Sequence, residues 1–292
     1  LFRSKEIFEP LAVSEYINET VADYKLKCHV FSTIGSHGSL TVEQALMNSC
    51  NPYMIHLALE MGNSRFAYYQ SLFGFGKITG IDLPGETTGI VYGDRMTTID
   101  AACNSFGQTI NVNMMQMMAA YCSIINGGML YQPHIVKRIE SANGEVVKEY
   151  KANLVRQTIT ASTSKLLRRY LKNTVEEGTA KKAGVTGYSV AGKTGTAQKG
   201  DRKDNKWIIS FIGHAPAENP KFAIYVVIDE PYGTTGTSGS SADVLTLTHN
   251  ILEKLLPYMN VYKDASDEYE DTSSSPDELT VDGIPAGTAS SN

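Results

Sequence analysis

The stretch of this chain most able to carry chemistry is Ser189–Ala197, which reads SVAGKTGTA. Its alternation of apolar with small or polar residues predicts a strand with one face toward the core. Lys193, Thr194 and Thr196 place an ammonium group and two hydroxyls close together on that strand. Gly195 leaves the backbone bare, so a ligand can approach it closely. Such a strand edge suits an extended peptide that ends in a carboxylate, because main chain pairs with main chain while the ammonium and hydroxyls bind the charged end.

The same residues also match a phosphate-binding pattern, since Gly187–Thr194 fits G-x-x-x-x-G-K-[ST]. A P-loop needs a buried strand before it and a helix directly after it, whose N-terminus faces the phosphates. Lys181–Thr186 is not an apolar run, and Gln198–Asn205 is a charged turn without helical periodicity. We therefore discount a P-loop NTPase and favour a peptide-binding strand.

A second candidate group is Ser49-Cys50-Asn51, which we expect at a break between two helices. Thr41 is a suitable N-cap for the first helix, and Pro52 pushes the residue before it out of helical geometry. The second helix is predicted from Tyr53 to a glycine cap at residue 62. Such a break presents a hydroxyl and a carboxamide side by side. On these residues alone, simple helix capping by Ser49 and Asn51 is the preferred interpretation.

Helices and strands must position these groups. Apolar periodicity predicts further helices at Phe66–Leu72, Met114–Ile125, a segment capped by Ser162 that ends at Gly178, and Ala242–Met259. Apolar runs rich in β-branched and aromatic residues predict an antiparallel strand pair at Trp207–His214 and Phe222–Asp229. Two shorter strands and an Asn-Gly turn predict a hairpin made of Tyr131–Val136 and Val146–Tyr150.

Composition sets the limits for the class of protein. The chain has 292 residues, 42% of them hydrophobic and 20% charged, with a net charge of -5, as is ordinary for a globular protein. No strongly basic run indicates nucleic-acid binding, and no apolar run is long enough to span a membrane. The four cysteines form no C-x-x-C pair, so we expect no zinc site, and they leave the disulfide state open. We expect a folded part at 1–262 and an acidic, Ser-rich, disordered tail at 263–292.

Taken together, the motifs resemble those of a known family. Ser49-Cys50-Asn51 is similar to the Ser-x-Asn motif of the penicillin-binding proteins, and Lys193-Thr194-Gly195-Thr196, which begins 142 residues after Asn51, is similar to their Lys-Thr/Ser-Gly motif. Ser105–Gln108 and Phe211–Pro216 resemble other family segments in the expected order. The resemblance covers roughly residues 5 to 260 and points to the class B peptidoglycan D,D-transpeptidases. One departure is Thr109, at a position where the family commonly has glycine.

The resemblance implies a fold and a set of roles. The fold is α/β, an antiparallel sheet flanked by helices plus a helical lobe, with the Lys-Thr-Gly strand at the edge of a cleft. Ser49 would relay a proton and Lys193 would support the transfer electrostatically. Asn51 would bind the donor's backbone amide. Thr194 and Thr196, with Gly195 between them, would bind the terminal carboxylate, and the Thr196 N–H would form half of an oxyanion hole.

The family's acylated serine belongs to a Ser-x-x-Lys motif, which should precede Ser49 in the chain. No such pattern lies upstream of Ser49 within residues 1–292. Ser162–Lys165 fits the pattern but lies between the other two motifs, where helix capping is the preferred interpretation. We therefore expect the nucleophile to lie just before Leu1, and we expect this chain alone to be inactive. A non-catalytic module that binds peptides or partner proteins is the alternative.

The resemblance also implies the surroundings of the protein. Its partners would be peptidoglycan stem peptides, β-lactams, and wall-synthesis proteins of division, elongation or sporulation. No metal, nucleotide or other cofactor would be needed. The site would lie at the extracytoplasmic face of the bacterial cell membrane.

Overall fold

The computed structural model describes residues 19–21, 24–26, 28, 30, 33–34, 37–200, 206–231 and 240–264. The helices are α1 (Val42–Met47), α2 (Asn51–Met61), α3 (Asn63–Leu72), α4 (Thr98–Ser105), α5 (Met114–Ile125), α6 (Ala161–Glu176) and α7 (Ala242–Tyr258). The strands are β1 (Glu19–Val21), β2 (Tyr24–Leu26), β3 (Met129–Gln132), β4 (Arg138–Glu140), β5 (Val146–Glu149), β6 (Asn153–Gln157), β7 (Ala191–Lys199), β8 (Lys206–Ala215) and β9 (Phe222–Asp229). Nearly all of the predicted tail, 263–292, lies outside the described residues.

The main sheet consists of β7, β8 and β9, paired antiparallel in that order. Its side chains alternate between two helical layers, as the two-residue period of a strand requires. Ile209 and Phe211 are fully buried in a core that includes α7 residues such as Leu252. Ile212 packs on the other face, in a cluster with Tyr121 of α5 and a residue of α6. The sheet therefore lies between α7 on one side and α5 and α6 on the other, which confirms the predicted α/β fold.

The helical lobe is built by α1–α4, and its helix starts follow from the sequence. Thr41 accepts a hydrogen bond from the Gln44 N–H, and the Gln44 side chain accepts one from the Thr41 N–H, which completes a capping box for α1. Pro52 lies in the first turn of α2, where its missing N–H costs nothing. Ile55 of α2 and Ala102 of α4 are fully buried against each other. Among the described residues, no helix is both long and apolar enough to cross a bilayer.

The hairpin prediction is wrong in its first strand. Residues 129–132 do form a strand, but β3 pairs with β6 rather than with Val146–Tyr150. The hairpin is made by β4 and β5. Pro133 lacks a donor and interrupts the predicted strand. The N–H groups of Ile135 and Val136 bond instead to the Asp82 carboxylate, at 2.7 and 2.8 Å.

The start of α6 also differs from the prediction. Thr160 is the N-cap, because its hydroxyl accepts a hydrogen bond from the Thr163 N–H at 3.2 Å. Ser162, the predicted cap, lies inside the first turn, with its hydroxyl 2.9 Å from that of Thr160. Thr and Ser are both good caps, so the sequence did not distinguish them.

Candidate active site

Ser49 lies in the sharp turn between α1 and α2, which confirms the predicted break. Its φ is 51°, a left-handed conformation that costs a non-glycine residue about 1–2 kcal/mol. The turn is closed by the Cys50 N–H, which donates to the Ala45 carbonyl at 2.9 Å. Cys50 then serves as the N-cap of α2, and Asn51 is the first residue of that helix. A strained residue held in this way is typical of functional sites.

Lys193 brings the second motif to this turn. It lies on β7 opposite Ile212, on the sheet face that packs against α5 and α6. Its Nζ donates a hydrogen bond to the Ser49 Oγ. The same Nζ lies 3.2 Å from the carbonyl oxygen and 3.3 Å from the Oγ1 of Thr194. Ser49 and Lys193, which are 144 positions apart in the sequence, therefore form one polar cluster.

The electrostatics of this cluster favour an anion. Burial lowers the pKa of Lys193 to about 8, because a low-dielectric environment disfavours the charged ammonium. In the part of the chain that the structure describes, no carboxylate forms an ion pair with Lys193. At neutral pH the ammonium is mostly protonated and its charge is uncompensated. A carboxylate entering the site would satisfy that charge.

The glycines of β7 allow the strand to pack tightly on β8. A Cβ at Gly192 would clash with the Phe211 ring, and one at Gly195 would lie 2.5 Å from the Ser210 Oγ. Thr194 and Thr196 are two residues apart, so both side chains project from the same face of the strand. Thr196 is exposed. Among the described residues, β7 is an edge strand, because only β8 pairs with it.

The structure thus brings Ser49, Lys193 and Thr194 together through hydrogen bonds. Asn51 lies two residues from Ser49 and is half-buried. No hydrogen bond joins the side chain of Asn51 or Thr196 to another described residue. These two candidates therefore border the cluster, where their polar groups can meet a ligand.

Sequence reasoning missed the segment that joins α6 to β7. The Thr179 N–H donates to the Met47 carbonyl at the end of α1, at 3.1 Å. The Thr179 hydroxyl also lies 3.4 Å from that of Thr194. A Cβ at Gly178 would approach the Met47 carbonyl oxygen to 2.8 Å, so only glycine fits there easily. In the sequence, Gly178 indicates only a helix end, and no pattern singles out Thr179.

Polar contacts of α6 hold the helical lobe and the sheet together around the site. The Asn173 side chain donates to the Glu43 carboxylate of α1 at 2.5 Å. The Lys172 ammonium lies 2.9 Å from Glu218, which also accepts a hydrogen bond from the Ser189 hydroxyl at 3.1 Å. Helix α6 thus contacts Glu43, ahead of the Ser49 turn, and Glu218, which in turn binds Ser189 just before β7.

One group of described side chains could hold a metal ion. The ligand atoms of Cys28, His37 and Cys50 all lie within 4.8 Å of one another. The absence of a C-x-x-C pair predicts no zinc site, and that prediction takes no account of residues that folding brings together. Cys28 and His37 precede α1 whereas Cys50 follows it, so no short cysteine spacing reveals the group.

Comparisons with known proteins show which family this chain is similar to. Residues 17–253 match the family described as penicillin-binding protein transpeptidase domain. The chain is 40% identical over 232 residues to stage V sporulation protein D of Bacillus subtilis, which covers 78% of this chain and 36% of that protein. It is 32% identical over 248 residues to the peptidoglycan D,D-transpeptidase FtsI of Escherichia coli, covering 83% of this chain and 40% of that protein.

A solved structure shows the same architecture. Penicillin-binding protein 3 of Mycobacterium tuberculosis, in complex with ampicillin, superimposes with a TM-score of 0.75 at 28% sequence identity. The match covers 86% of this chain and 57% of that one. This chain therefore spans well under half the length of the two curated relatives named above.

Proposed function

The chain belongs to the penicillin-binding protein transpeptidase family, and from that membership we propose that it forms part of a serine D,D-transpeptidase. Its substrates would be peptidoglycan stem peptides that end in D-Ala-D-Ala, and β-lactams would acylate the same site. The observation that carries this proposal is the hydrogen bond from Lys193 to Ser49, which joins the two motifs into one cluster.

The proposed reaction has two acyl transfers. A serine hydroxyl attacks the carbonyl carbon between the two D-alanines, and the C–N bond breaks to leave an ester on the serine. The departing D-alanine amine takes up a proton, which we assign to relay through the Ser49 hydroxyl. An amine from a neighbouring stem peptide then attacks the ester, forms the cross-link and frees the serine. Lys193 stabilises the charges that develop beside Ser49 during these steps.

We assign substrate binding to the edge of β7. The terminal carboxylate of the stem peptide would accept hydrogen bonds from the Thr194 and Thr196 hydroxyls, and the Lys193 ammonium would add charge. Gly195, between the two threonines, carries no side chain that would block the approaching peptide. The Thr196 N–H would donate to the oxyanion, and Asn51 would bind the backbone amide of the donor peptide.

The acylated serine is the one component that no residue described above supplies. We propose that it lies in a Ser-x-x-Lys motif upstream of Leu1 and that residues 1–292 alone are inactive. By resemblance to wall-synthesis enzymes, we also place the site at the extracytoplasmic face of the cell membrane, where peptidoglycan lies. Its protein partners would be other wall-synthesis proteins.

The experiment uses the longest gene product that contains residues 1–292, incubated with a labelled penicillin, with the adduct mapped by mass spectrometry. We expect one adduct, on the serine of a Ser-x-x-Lys motif upstream of Ser49. The chain of residues 1–292 alone should give none. A folded long product that forms no adduct would contradict the proposal and would favour a non-catalytic binding module.

A further inference from the structure

Cys28, His37 and Cys50 form a compact cluster beside the Ser49 turn. Cys50 lies between Ser49 and Asn51 in the chain, whereas Cys28 and His37 come from the segment that precedes α1. The Cys28 Sγ lies 3.5 Å from the His37 Nδ1, and all three ligand atoms are within 4.8 Å of one another. Cys28 is 6% exposed and Cys50 is fully buried, while His37 is partly buried.

These distances suit a tetrahedral metal site. Zinc–sulfur bonds of about 2.3 Å and zinc–nitrogen bonds of about 2.0–2.1 Å place neighbouring ligand atoms of a tetrahedron about 3.5–3.8 Å apart. The sulfur–nitrogen separation of Cys28 and His37 already has that value. The remaining ligand atoms need to move by at most about 1 Å to reach it. Two thiolates and one imidazole form a soft ligand set that selects zinc over magnesium or calcium.

We propose that Cys28, His37 and Cys50 bind one Zn²⁺ ion, with water as the fourth ligand. His37 is the ligand nearest to solvent, so the open position would lie on its side of the cluster. Leu40, Ala45 and Tyr53 pack around the two cysteines and would enclose the rest of the ion.

The imidazole distinguishes this proposal from two simpler interpretations. Buried thiols can act as small apolar side chains, and two of them can form a disulfide. Neither interpretation uses His37, whose ring nitrogen lies at hydrogen-bond distance from a sulfur. A metal site uses all three groups at once.

The ion would hold the Ser49 turn in place. Ser49 has an unfavourable φ of 51°, and such a conformation persists only where the surrounding structure imposes it. A bond from zinc to Cys50 would fix the residue that follows Ser49 and anchor it to Cys28 and His37. This is a positioning role, and the inference does not depend on the proposed function.

The test measures metal binding directly. The longest gene product that contains this chain is reduced, freed of metal and titrated with Zn²⁺, and in parallel with Co²⁺ as an optical probe. We expect one equivalent of metal per chain, with a thiolate-to-cobalt charge-transfer band and a raised Tm. Cys28→Ser, Cys50→Ser and His37→Ala should each weaken binding at least tenfold. Cys103→Ser and Cys122→Ser, which change cysteines outside the cluster, should leave binding unchanged.

Two results would overturn the inference. One is a folded, reduced wild type that binds no more zinc than the His37→Ala variant. Of the three cluster variants, His37→Ala is the least expected to unfold, because His37 is the most exposed of the three residues. The other is a Cys28–Cys50 disulfide in the protein as isolated, together with no zinc uptake after reduction. Penicillin labelling is measured separately, so a failure here is distinguishable from a failure of the transpeptidase assignment.

Discussion

β7 carries Lys193 within a continuous antiparallel ladder, in which each residue from Ala191 to Lys199 has a partner on β8. Ser49, its hydrogen-bond partner, lies in a single strained turn between two helices. The strand is fixed by many equivalent contacts, whereas the turn depends on a few contacts to distant segments, such as Thr179 with Met47. One half of the site is therefore fixed by the regular pairing of its own strand, and the other half is held in place by contacts with neighbouring segments.

The largest effect on the free energy of unfolding should arise in the rigid half, at His214 on β8. His214 is fully buried, with Nδ1 2.8 Å from the Tyr121 hydroxyl and Nε2 3.1 Å from the Ala217 carbonyl. Burial lowers its pKa to about 4 from an ordinary value of 6.5. The unfolded chain therefore binds the extra proton first, and stability falls as pH drops from 6.5 to 4, by about 3 kcal/mol.

Chemical denaturation at several pH values checks this expectation. His214→Gln keeps a donor and an acceptor but does not titrate, so its stability should depend less on pH over that range. An unchanged pH dependence in His214→Gln would mean that other groups cause the acid sensitivity of the sheet.

The packing of β7 on β8 gives the second prediction. Gly192→Ala places a Cβ against the Phe211 ring, and this should destabilise the protein by about 1–3 kcal/mol through overpacking. Gln198→Ala, on the same strand, is the matched control and should change stability by less than about 0.5 kcal/mol. Equal unfolding midpoints for Gly192→Ala and Gln198→Ala would show that β7 is looser than its ladder indicates.

The third prediction concerns the point where the two halves meet. Lys193 has a pKa of about 8, so its ammonium loses charge as pH rises through that value. In the longest gene product that contains residues 1–292, the rate of acylation by penicillin should fall about tenfold between pH 8 and 9.5, because the uncharged amine binds a carboxylate poorly. A rate that stays constant across this interval would separate Lys193 from carboxylate binding.

The smallest effect on the free energy of unfolding should arise in the turn that contains Ser49. Ser49→Gly removes the hydroxyl and relieves the left-handed strain, whereas Ser49→Ala removes the hydroxyl and keeps the strain. Ser49→Gly should therefore be more stable than Ser49→Ala by about 1 kcal/mol. Thr109→Gly offers a second test of strain relief by glycine, since the backbone of Thr109 is also left-handed, with a φ of 58°. Equal stability of the two Ser49 variants would show that the turn is not strained.

The difference between the two regions also explains what the sequence could predict. The β7 strand, the β8–β9 pair and the break before Pro52 follow from local periodicity and local steric rules. The β3–β6 pairing and the Thr179–Met47 contact join segments far apart, and no local pattern encodes such pairings. Ser49 and Lys193 were matched only because each lies in a recognisable motif. Cys28 and His37 lie in no motif, and only the folded chain brings them to Cys50.

The most direct test compares rates of acylation by a labelled penicillin in two lysine variants of β7, each made in the longest gene product that contains residues 1–292. Lys193 contacts Ser49, whereas Lys199 forms exposed ion pairs with Asp229 and Glu230 at 2.9 Å. The account predicts that Lys193→Ala slows acylation by roughly 10²–10³-fold, as does the loss of other preorganised charge-stabilising groups. Lys199→Ala should acylate at the wild-type rate. Equal rates for the two variants, with both proteins folded, would contradict an active site built on Lys193 and Ser49.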